Sequence, residues 1–246
     1  MPRLPSFEQA PRFYARLAGL AYLAVIALGI FGEAFVRGAL VVAGDGLTTA
    51  AHIAQSPGLW RLGIAGDLLM HLLDVPLIVF FYYLLRPVSN GLALLSSAFN
   101  LVQTAVLTAN KITLIAPLLL VLDSTPGTTL PSDVLGPLVA FAARLHGYGF
   151  GVGLLFFGLA CLIRGQLLRR SGYCPPLLGM LIIAGGACYL LNSAALLMAP
   201  ALASAMFPWM LAPSFVGELA LALWLVAGGP NIAAWQREIH AAGSRA

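Results

Sequence analysis

The segment GDLLMHLLDVPL, residues 66–77, carries three ionisable side chains within an otherwise apolar run. Asp67, His71 and Asp74 follow one another at spacings of four and three residues, which places them on one face of a helix. Carboxylates and an imidazole in an apolar setting titrate near working pH, which suits proton transfer or the binding of a small ion. This face is therefore the first candidate for chemistry in the chain.

The amino-acid composition indicates which solvent surrounds that face. Of the 246 residues, 60% are hydrophobic and only 9% are charged, and the mean hydropathy is +0.93. A soluble domain has roughly a quarter of its residues charged, so lipid is the solvent that fits this chain. The 13 Lys and Arg residues are spread along the sequence without a nucleic-acid-binding motif, so we expect the lipid bilayer and not nucleic acid as a partner.

Six segments are long and apolar enough to cross a bilayer, which takes about 20 residues. They lie at residues 15–36, 62–85, 91–117, 145–167, 176–199 and 211–229. These segments predict an all-α membrane protein, a bundle of six transmembrane helices in a single domain over residues 1–246. Residues 45–56 are mildly apolar and begin with a possible N-cap, Asp45, so we expect a short interfacial helix between the first two spans.

Lys and Arg residues in short loops indicate which side of the membrane a loop faces. Most of them lie in the N-terminal segment, after the second and fourth spans, and in the tail 230–246, with Arg164 counted in the loop after the fourth span. This bias predicts a multi-pass protein of the cytoplasmic membrane with both termini in the cytoplasm. In the tail, Ile232, Trp235 and Ile239 follow helical spacing, and we expect this face at the membrane interface.

Four other spans also carry polar or ionisable side chains, as the helix face of Asp67 does. Under the predicted topology, all of them fall in the outer half of the membrane. The set consists of Glu33, Arg37, Asn100, Gln103, Asn110, Lys111, His146 and Glu218. Ionisable residues inside a span are costly to insert, usually face the bundle interior and often mark a functional site. His146 also begins HGYGFGVG, whose two GxxxG pairs favour close helix packing.

Three interpretations of this polar set are open. It is an interhelical network that fixes the bundle, a cavity for a small solute, ion or proton, or the site of a membrane enzyme or of a metal or haem protein with His71 and His146 as ligands. Our working hypothesis is the cavity, with Asp67 and Glu218 as proton-sensitive carboxylates, His146 as their partner and Arg37 as the counter-charge. The motifs HExxH, GxSxG and CxxCH are absent, so the sequence favours a protein that is not an enzyme and predicts no cofactor, with a haem or metal ion as the alternative.

Five sequence blocks carry a resemblance to a known family: LGIFGEAFVRGALVVAGD, RLGIAGDLLMHLLDVPL, FNLVQTAVLTANK, LHGYGFGVGLLFFGL and SFVGELALALWLV. Over about residues 12–228 the chain resembles the bacterial integral-membrane family catalogued as domain of unknown function 4386. The matching positions are Glu33, Arg37, Asp45, Arg61, Asp67, Asp74, Gln103, Asn110, His146, Gly147, Tyr148 and Glu218. The resemblance implies a six-helix bacterial inner-membrane protein without a transferable activity. It adds Tyr148 to the candidate residues, whereas His71 and Cys161 depart from the family pattern.

Overall fold

The computed structural model describes residues 7–122, 130–206 and 208–243. Within these ranges the chain is helical and contains no strand. Six helices are long and apolar enough to cross a membrane, and they are called the first to sixth spans below: Pro11–Leu40, Pro57–Leu85, Asn90–Leu122, Ser132–Arg170, Pro176–Met198 and Trp209–Ala227. Shorter helices cover Gly46–Gln55, Pro200–Met206 and Ile232–Gly243. The prediction of an all-α fold with six membrane-crossing helices is confirmed.

The six spans form a closed ring. Each span packs against the next one along the chain, and the sixth span packs against the first. Large apolar side chains such as Leu72 and Phe141 lie on the outside of the ring, with 70% and 62% of their surface exposed. Buried polar side chains lie within it, as a bundle surrounded by lipid requires. The ring therefore brings the polar residues of different spans together.

The fourth span is longer than the sequence indicated. Ser132–Arg170 contains 39 residues, which corresponds to about 58 Å of helix and exceeds the apolar thickness of a bilayer. Its first turns pack against the helix Gly46–Gln55, where a Cβ atom on Gly46 would overlap the carbonyl oxygen of Gly136. Hydropathy marks only the part of a helix that suits lipid, which explains why the predicted span began at residue 145.

The helix Gly46–Gln55 occupies the segment in which a short interfacial helix was predicted. Asp45 is its N-cap, because Oδ1 accepts a hydrogen bond of 2.9 Å from the Thr48 amide and Oδ2 one of 2.6 Å from the Thr48 hydroxyl. These two bonds hold the pKa of Asp45 below its ordinary value. Ile53 is fully buried, so this helix packs on the protein itself.

The tail helix, Ile232–Gly243, packs against the end of the second span. Trp235 is 1% exposed, and its Nε1 donates to the Leu84 carbonyl over 3.3 Å. The Tyr173 hydroxyl donates to the same carbonyl over 2.6 Å. The indole of Trp235 is buried against the bundle, where its N–H has an acceptor, so this residue packs on protein and does not face lipid.

Candidate functional site

Four charged residues form an ion-pair network between the first three spans, defined here as Glu33, Arg37, Asp67 and Lys111. Oδ2 of Asp67 lies 2.7 Å from Arg37 Nη1 and 2.9 Å from Lys111 Nζ. Arg37 Nε in turn lies 2.8 Å from Glu33 Oε2. The Asp67 side chain is completely buried, whereas that of Glu33 is 61% exposed. Two carboxylates and two cations balance, so the network carries no net charge.

Two local features of the backbone position this network. The first span widens into a π-helix over Phe31–Arg37, a conformation that appears mostly as a single turn and often at functional sites. Gly32 within that turn faces Asp67, and a Cβ atom there would overlap Oδ1 of the carboxylate. On the third span, Lys111 forms the break between the helices Asn90–Asn110 and Ile112–Leu122.

His146 belongs to a separate hydrogen-bonded group with Asn110 and Thr113. Asn110 Nδ2 donates to the His146 carbonyl over 2.9 Å and lies 3.2 Å from the ring Nδ1. The Thr113 hydroxyl also lies 3.2 Å from that Nδ1. Gly149 leaves the space that the Asn110 amide occupies. These contacts fix the His146 ring between the third and fourth spans.

A larger group, the central polar cluster, draws side chains from all six spans. It consists of Tyr22, His71, Asp74, Asn100, Gln103, Thr104, Arg164, Tyr189 and Glu218. Asn100 donates to Gln103 over 2.8 Å, and the Thr104 hydroxyl lies 3.5 Å from Asp74 Oδ2. Arg164 donates to Asn100. The cluster therefore joins the second, third and fourth spans.

Glu218, on the sixth span, contacts the fifth span and faces the first. Tyr189 of the fifth span donates a hydrogen bond to Glu218 Oε1. The Tyr22 hydroxyl of the first span faces the same carboxylate, although not with the geometry of a hydrogen bond. No hydrogen bond or ion pair among the described residues joins Glu218 to Arg164 or Asp74.

Several buried polar atoms in the central polar cluster have no hydrogen-bond partner among the described residues. They are the Tyr22 hydroxyl, both ring nitrogens of His71, and Nε of Arg164. Arg164 is 3% exposed and forms no ion pair with a described residue. Its guanidinium lies over the Phe81 ring, 4.4 Å from the ring centroid. Buried polar groups are nearly always hydrogen-bonded in proteins, so these atoms require an explanation.

The comparison with protein families agrees with this architecture. A family model described as a domain of unknown function, DUF4386, matches residues 17–229, which include all six spans except the start of the first. The chain belongs to the DUF4386 family. An uncharacterized protein from Archaeoglobus fulgidus is similar to this family member, with 30% identity over 169 residues, 69% of this chain and 85% of the relative. No solved structure matches the chain.

In this DUF4386 protein the predicted site residues fall into separate groups. Glu33, Arg37, Asp67 and Lys111 form the ion-pair network, and Asn110 joins His146. The central polar cluster contains His71, Asp74, Gln103 and Glu218. Tyr148 is partly buried on the fourth span. Within the described ranges, His, Cys, Asp and Glu form no group of three or more that could hold a metal ion.

Tyr22, Thr104, Arg164 and Tyr189 were not predicted as site residues. Arg164 was counted as a loop cation, but it is buried within the fourth span. Its position inside the apolar run LACLIRGQLL was the available signal, because an Arg between apolar residues of a span faces protein more often than lipid. The two tyrosines gave no signal, since tyrosine is an ordinary residue of membrane helices.

Proposed function

We propose that this protein binds a small polar solute inside the ring of spans, at the central polar cluster. The observation that carries the proposal is the set of unpartnered buried atoms on Tyr22, His71 and Arg164. These residues belong to three different spans, so a local distortion of one helix does not explain why all of these atoms are without hydrogen-bond partners. An unpartnered polar group inside a membrane protein costs free energy that a bound solute recovers through hydrogen bonds.

The ion-pair network has a structural role in this proposal. Asp67 is fully buried, and its carboxylate is paired with both Arg37 and Lys111. It is therefore less available to a solute than the carboxylates of the central polar cluster. We therefore propose Asp74 and Glu218 as the carboxylates that contact the solute, since they form no ion pair with Arg164 or Lys111. His71 Nδ1 lies 3.6 Å from Asp74 Oδ2.

The proposed orientation keeps both termini in the cytoplasm of a bacterial cell. Three basic residues are paired or buried within the ring: Arg37, Lys111 and Arg164. They therefore do not count among the basic loop residues that indicate orientation. The remaining basic residues of the described ranges then favour the end of the ring that carries Arg12, Arg16, Arg86, Arg169, Arg170 and Arg237, because among them only Arg61 and Arg144 lie towards the other end. Reporter fusions at each terminus test this orientation.

Thermal unfolding of the purified protein in detergent tests solute binding. Glycerol, acetamide and acetate are added in turn, and a solute that binds the folded state alone raises the melting temperature in proportion to its occupancy. The decisive variant is Tyr22→Phe, which removes an unpartnered hydroxyl and should cost little stability without solute. Tyr82→Phe is the matched control, because the Tyr82 hydroxyl donates to Asn90 in an exposed pair outside the cluster.

The proposal requires that at least one solute raises the melting temperature of the wild type and of Tyr82→Phe more than that of Tyr22→Phe. Equal shifts in all three proteins indicate a general solvent effect. That outcome, or the absence of any shift, favours the alternative of a purely structural polar core. Flux of the stabilising solute into sealed vesicles then distinguishes a transporter from a receptor.

A further inference from the structure

Oxygen atoms meet at Thr104, where the third span faces the second. The Thr104 hydroxyl donates to the Asn100 carbonyl oxygen over 3.0 Å. It also lies 3.4 Å from Gln103 Oε1 and 3.5 Å from Asp74 Oδ2. A hydroxyl has one hydrogen to donate, and the Asn100 carbonyl is the closest of the three acceptors. The contacts of Thr104 with Gln103 and Asp74 therefore join pairs of oxygen atoms without a hydrogen between them.

Asp74 is a mostly buried carboxylate without a strong partner. Its side chain is 18% exposed, and no Lys or Arg among the described residues lies within 4.0 Å of it. The Thr104 hydroxyl and His71 Nδ1, at 3.5 and 3.6 Å from Oδ2, are further away than the partner in an ordinary hydrogen bond. Buried charges in proteins are paired or coordinate metal ions, so Oδ2 requires a cation.

His71 gives independent evidence for a ligand at this oxygen. Its side chain is 2% exposed, and neither ring nitrogen has a hydrogen-bond partner among the described residues. Nδ1 lies 3.6 Å from Asp74 Oδ2, so the unpartnered ring borders the same place. Ions such as Ca²⁺ and Mg²⁺ keep water among their ligands, and a water on a cation at Asp74 can donate to a ring nitrogen.

The spacing of the oxygen atoms restricts the size of the cation. Ca²⁺ takes oxygen ligands at about 2.3–2.6 Å, so two of them at right angles lie about 3.3–3.7 Å apart. Mg²⁺ takes them at about 2.0–2.1 Å, which brings neighbouring ligands to within about 3.0 Å of each other. The observed spacings of 3.4 and 3.5 Å fit an ion of the size of Ca²⁺, and Na⁺ has nearly the same radius.

Charge decides between these two ions. Asp74 is the only charged group of the three side chains, since Gln103 and Thr104 supply neutral oxygens. Ca²⁺ sites usually contain several carboxylates, and a divalent ion beside one carboxylate would leave a net positive charge in the interior of the bundle. A monovalent ion neutralises Asp74 alone, which is why this site does not need three His, Cys, Asp or Glu ligands.

We infer that the central polar cluster holds a sodium ion between Asp74 Oδ2 and the Thr104 hydroxyl, with Gln103 Oε1 as a further ligand. Asn100 Nδ2 donates to Gln103 Oε1 over 2.8 Å and thereby holds that oxygen next to Thr104. This inference goes beyond the proposed function and does not depend on it, because the ion uses Oδ2 of Asp74 and leaves Oδ1 for a solute.

Equilibrium binding of radioactive Na⁺ to the wild-type protein in detergent, measured by scintillation proximity, tests the inference without any solute. Unlabelled chloride salts compete with the label, and choline chloride keeps the ionic strength constant so that screening does not change. Unlabelled Na⁺ should displace the label. K⁺ is too large for the observed spacing, Mg²⁺ is too small and Ca²⁺ has the wrong charge, so each should need a concentration at least about tenfold higher.

Substitutions test the ligands. Asp74→Asn removes the charge, and Thr104→Val removes the hydroxyl at nearly constant shape. Each should weaken Na⁺ binding at least about tenfold, since even the outer-shell partners of metal ligands contribute about 10–100-fold. Thr104→Ser keeps the hydroxyl and should bind Na⁺ as the wild type does. If Asp74→Asn does not fold, Thr104→Val and Thr104→Ser carry the test.

Thr108→Val is the matched control. The Thr108 hydroxyl lies one turn further along the same helix and donates to the Thr104 carbonyl over 2.7 Å. It contacts no carboxylate among the described residues, so this variant should bind Na⁺ as the wild type does.

The inference requires saturable Na⁺ binding that Thr104→Val weakens and Thr108→Val does not. The absence of saturable binding overturns it and indicates that a proton neutralises Asp74. Displacement by K⁺ or Ca²⁺ as readily as by Na⁺, or unchanged binding in both Asp74→Asn and Thr104→Val, also overturns it. Saturable Na⁺ binding at these ligands, together with the failure of every solute in the melting experiment, leaves the inference standing and contradicts only the proposed function.

Discussion

Lys111 Nζ lies 2.9 Å from Asp67 Oδ2, and this contact joins a break in the third span to a fully buried carboxylate of the second. Arg37 approaches the same oxygen from the first span. One carboxylate thus neutralises a buried ammonium and holds three spans together. Buried ion pairs add little net stability over an apolar core, but removal of one partner leaves an uncompensated charge and is strongly destabilising.

Asp67→Asn is therefore expected to destabilise the protein by about 3–5 kcal/mol, because Lys111 would lose its only ion-pair partner among the described residues. The measurement is the melting temperature in detergent. Asp133→Asn, on an exposed carboxylate at the start of the fourth span, is the control and should shift the melting temperature little.

Our working hypothesis from the sequence makes a different statement about Asp67. It holds that the Asn variant alters solute binding or pH response more than folding. A melting temperature equal to that of the wild type, with altered binding of a solute, would support that hypothesis and contradict a structural role for the network.

The spans could be predicted because a helix that crosses lipid requires a long run of apolar residues. A stretch of about 20 apolar residues is visible without knowledge of any contact, and Asp45 as a helix N-cap depends only on its neighbour Thr48. The grouping of the polar residues could not be predicted in the same way. Asp67 and Asp74 share one helix face, yet Asp67 contacts Lys111 while Asp74 lies near Thr104, because the third span is polar at two separate levels.

Arg164 and Trp235 show why the burial of some side chains could not be predicted from the sequence. Both are residues with an ordinary role near a membrane surface, Arg as a loop cation and Trp as an interfacial anchor. Whether they reach water depends on tertiary partners, here Asn100 for Arg164 and the Leu84 carbonyl for Trp235. Those partners lie 64 and 151 residues away along the chain, beyond the range of any local pattern.

The glycines around His146 differ in their surroundings, which gives a matched pair of substitutions. A Cβ atom on Gly149 would overlap the Asn110 amide, whereas nothing lies within 4 Å of a Cβ atom on Gly147. We expect Gly149→Ala to cost about 1–3 kcal/mol through overpacking. Gly147→Ala should be neutral or stabilising by up to about 1 kcal/mol, because alanine favours a helix. Thermal unfolding of both variants checks this, and equal effects would contradict the described packing of Asn110.

Cys174, in the loop between the fourth and fifth spans, is expected to resist thiol reagents. It is 5% exposed, and burial raises the pKa of its thiol from about 9 to about 12. In a protein with Cys161 and Cys188 replaced by Ser, maleimide at pH 8 should label Cys174 only after unfolding in SDS. A cysteine at the exposed position Arg170 is the positive control. Rapid labelling of native Cys174 would contradict its burial.

The raised pKa of Cys174 also predicts a pH dependence of stability. The folded state favours the neutral thiol, so this contribution is complete below pH 9 and is lost as pH rises towards 12. Cys174→Ser in the same background replaces the thiol by a hydroxyl that does not ionise in this range. Its melting temperature should therefore fall less between pH 9 and 11 than that of the protein that retains Cys174, and equal falls would show that other groups dominate.

The Leu84 carbonyl gives the sharpest test of the packing at this end of the ring. Val88 N–H donates to Leu85, so at the end of the second span the Leu84 oxygen depends on Tyr173 and Trp235 as donors. Tyr173→Phe and Trp235→Phe should each cost about 1 kcal/mol in hydrogen bonding, because the other donor remains. The double variant leaves the carbonyl unpaired and should lose about 1–3 kcal/mol more than the sum. Thermal unfolding of all four proteins completes the cycle, and simple additivity would show that the two donors do not share this oxygen.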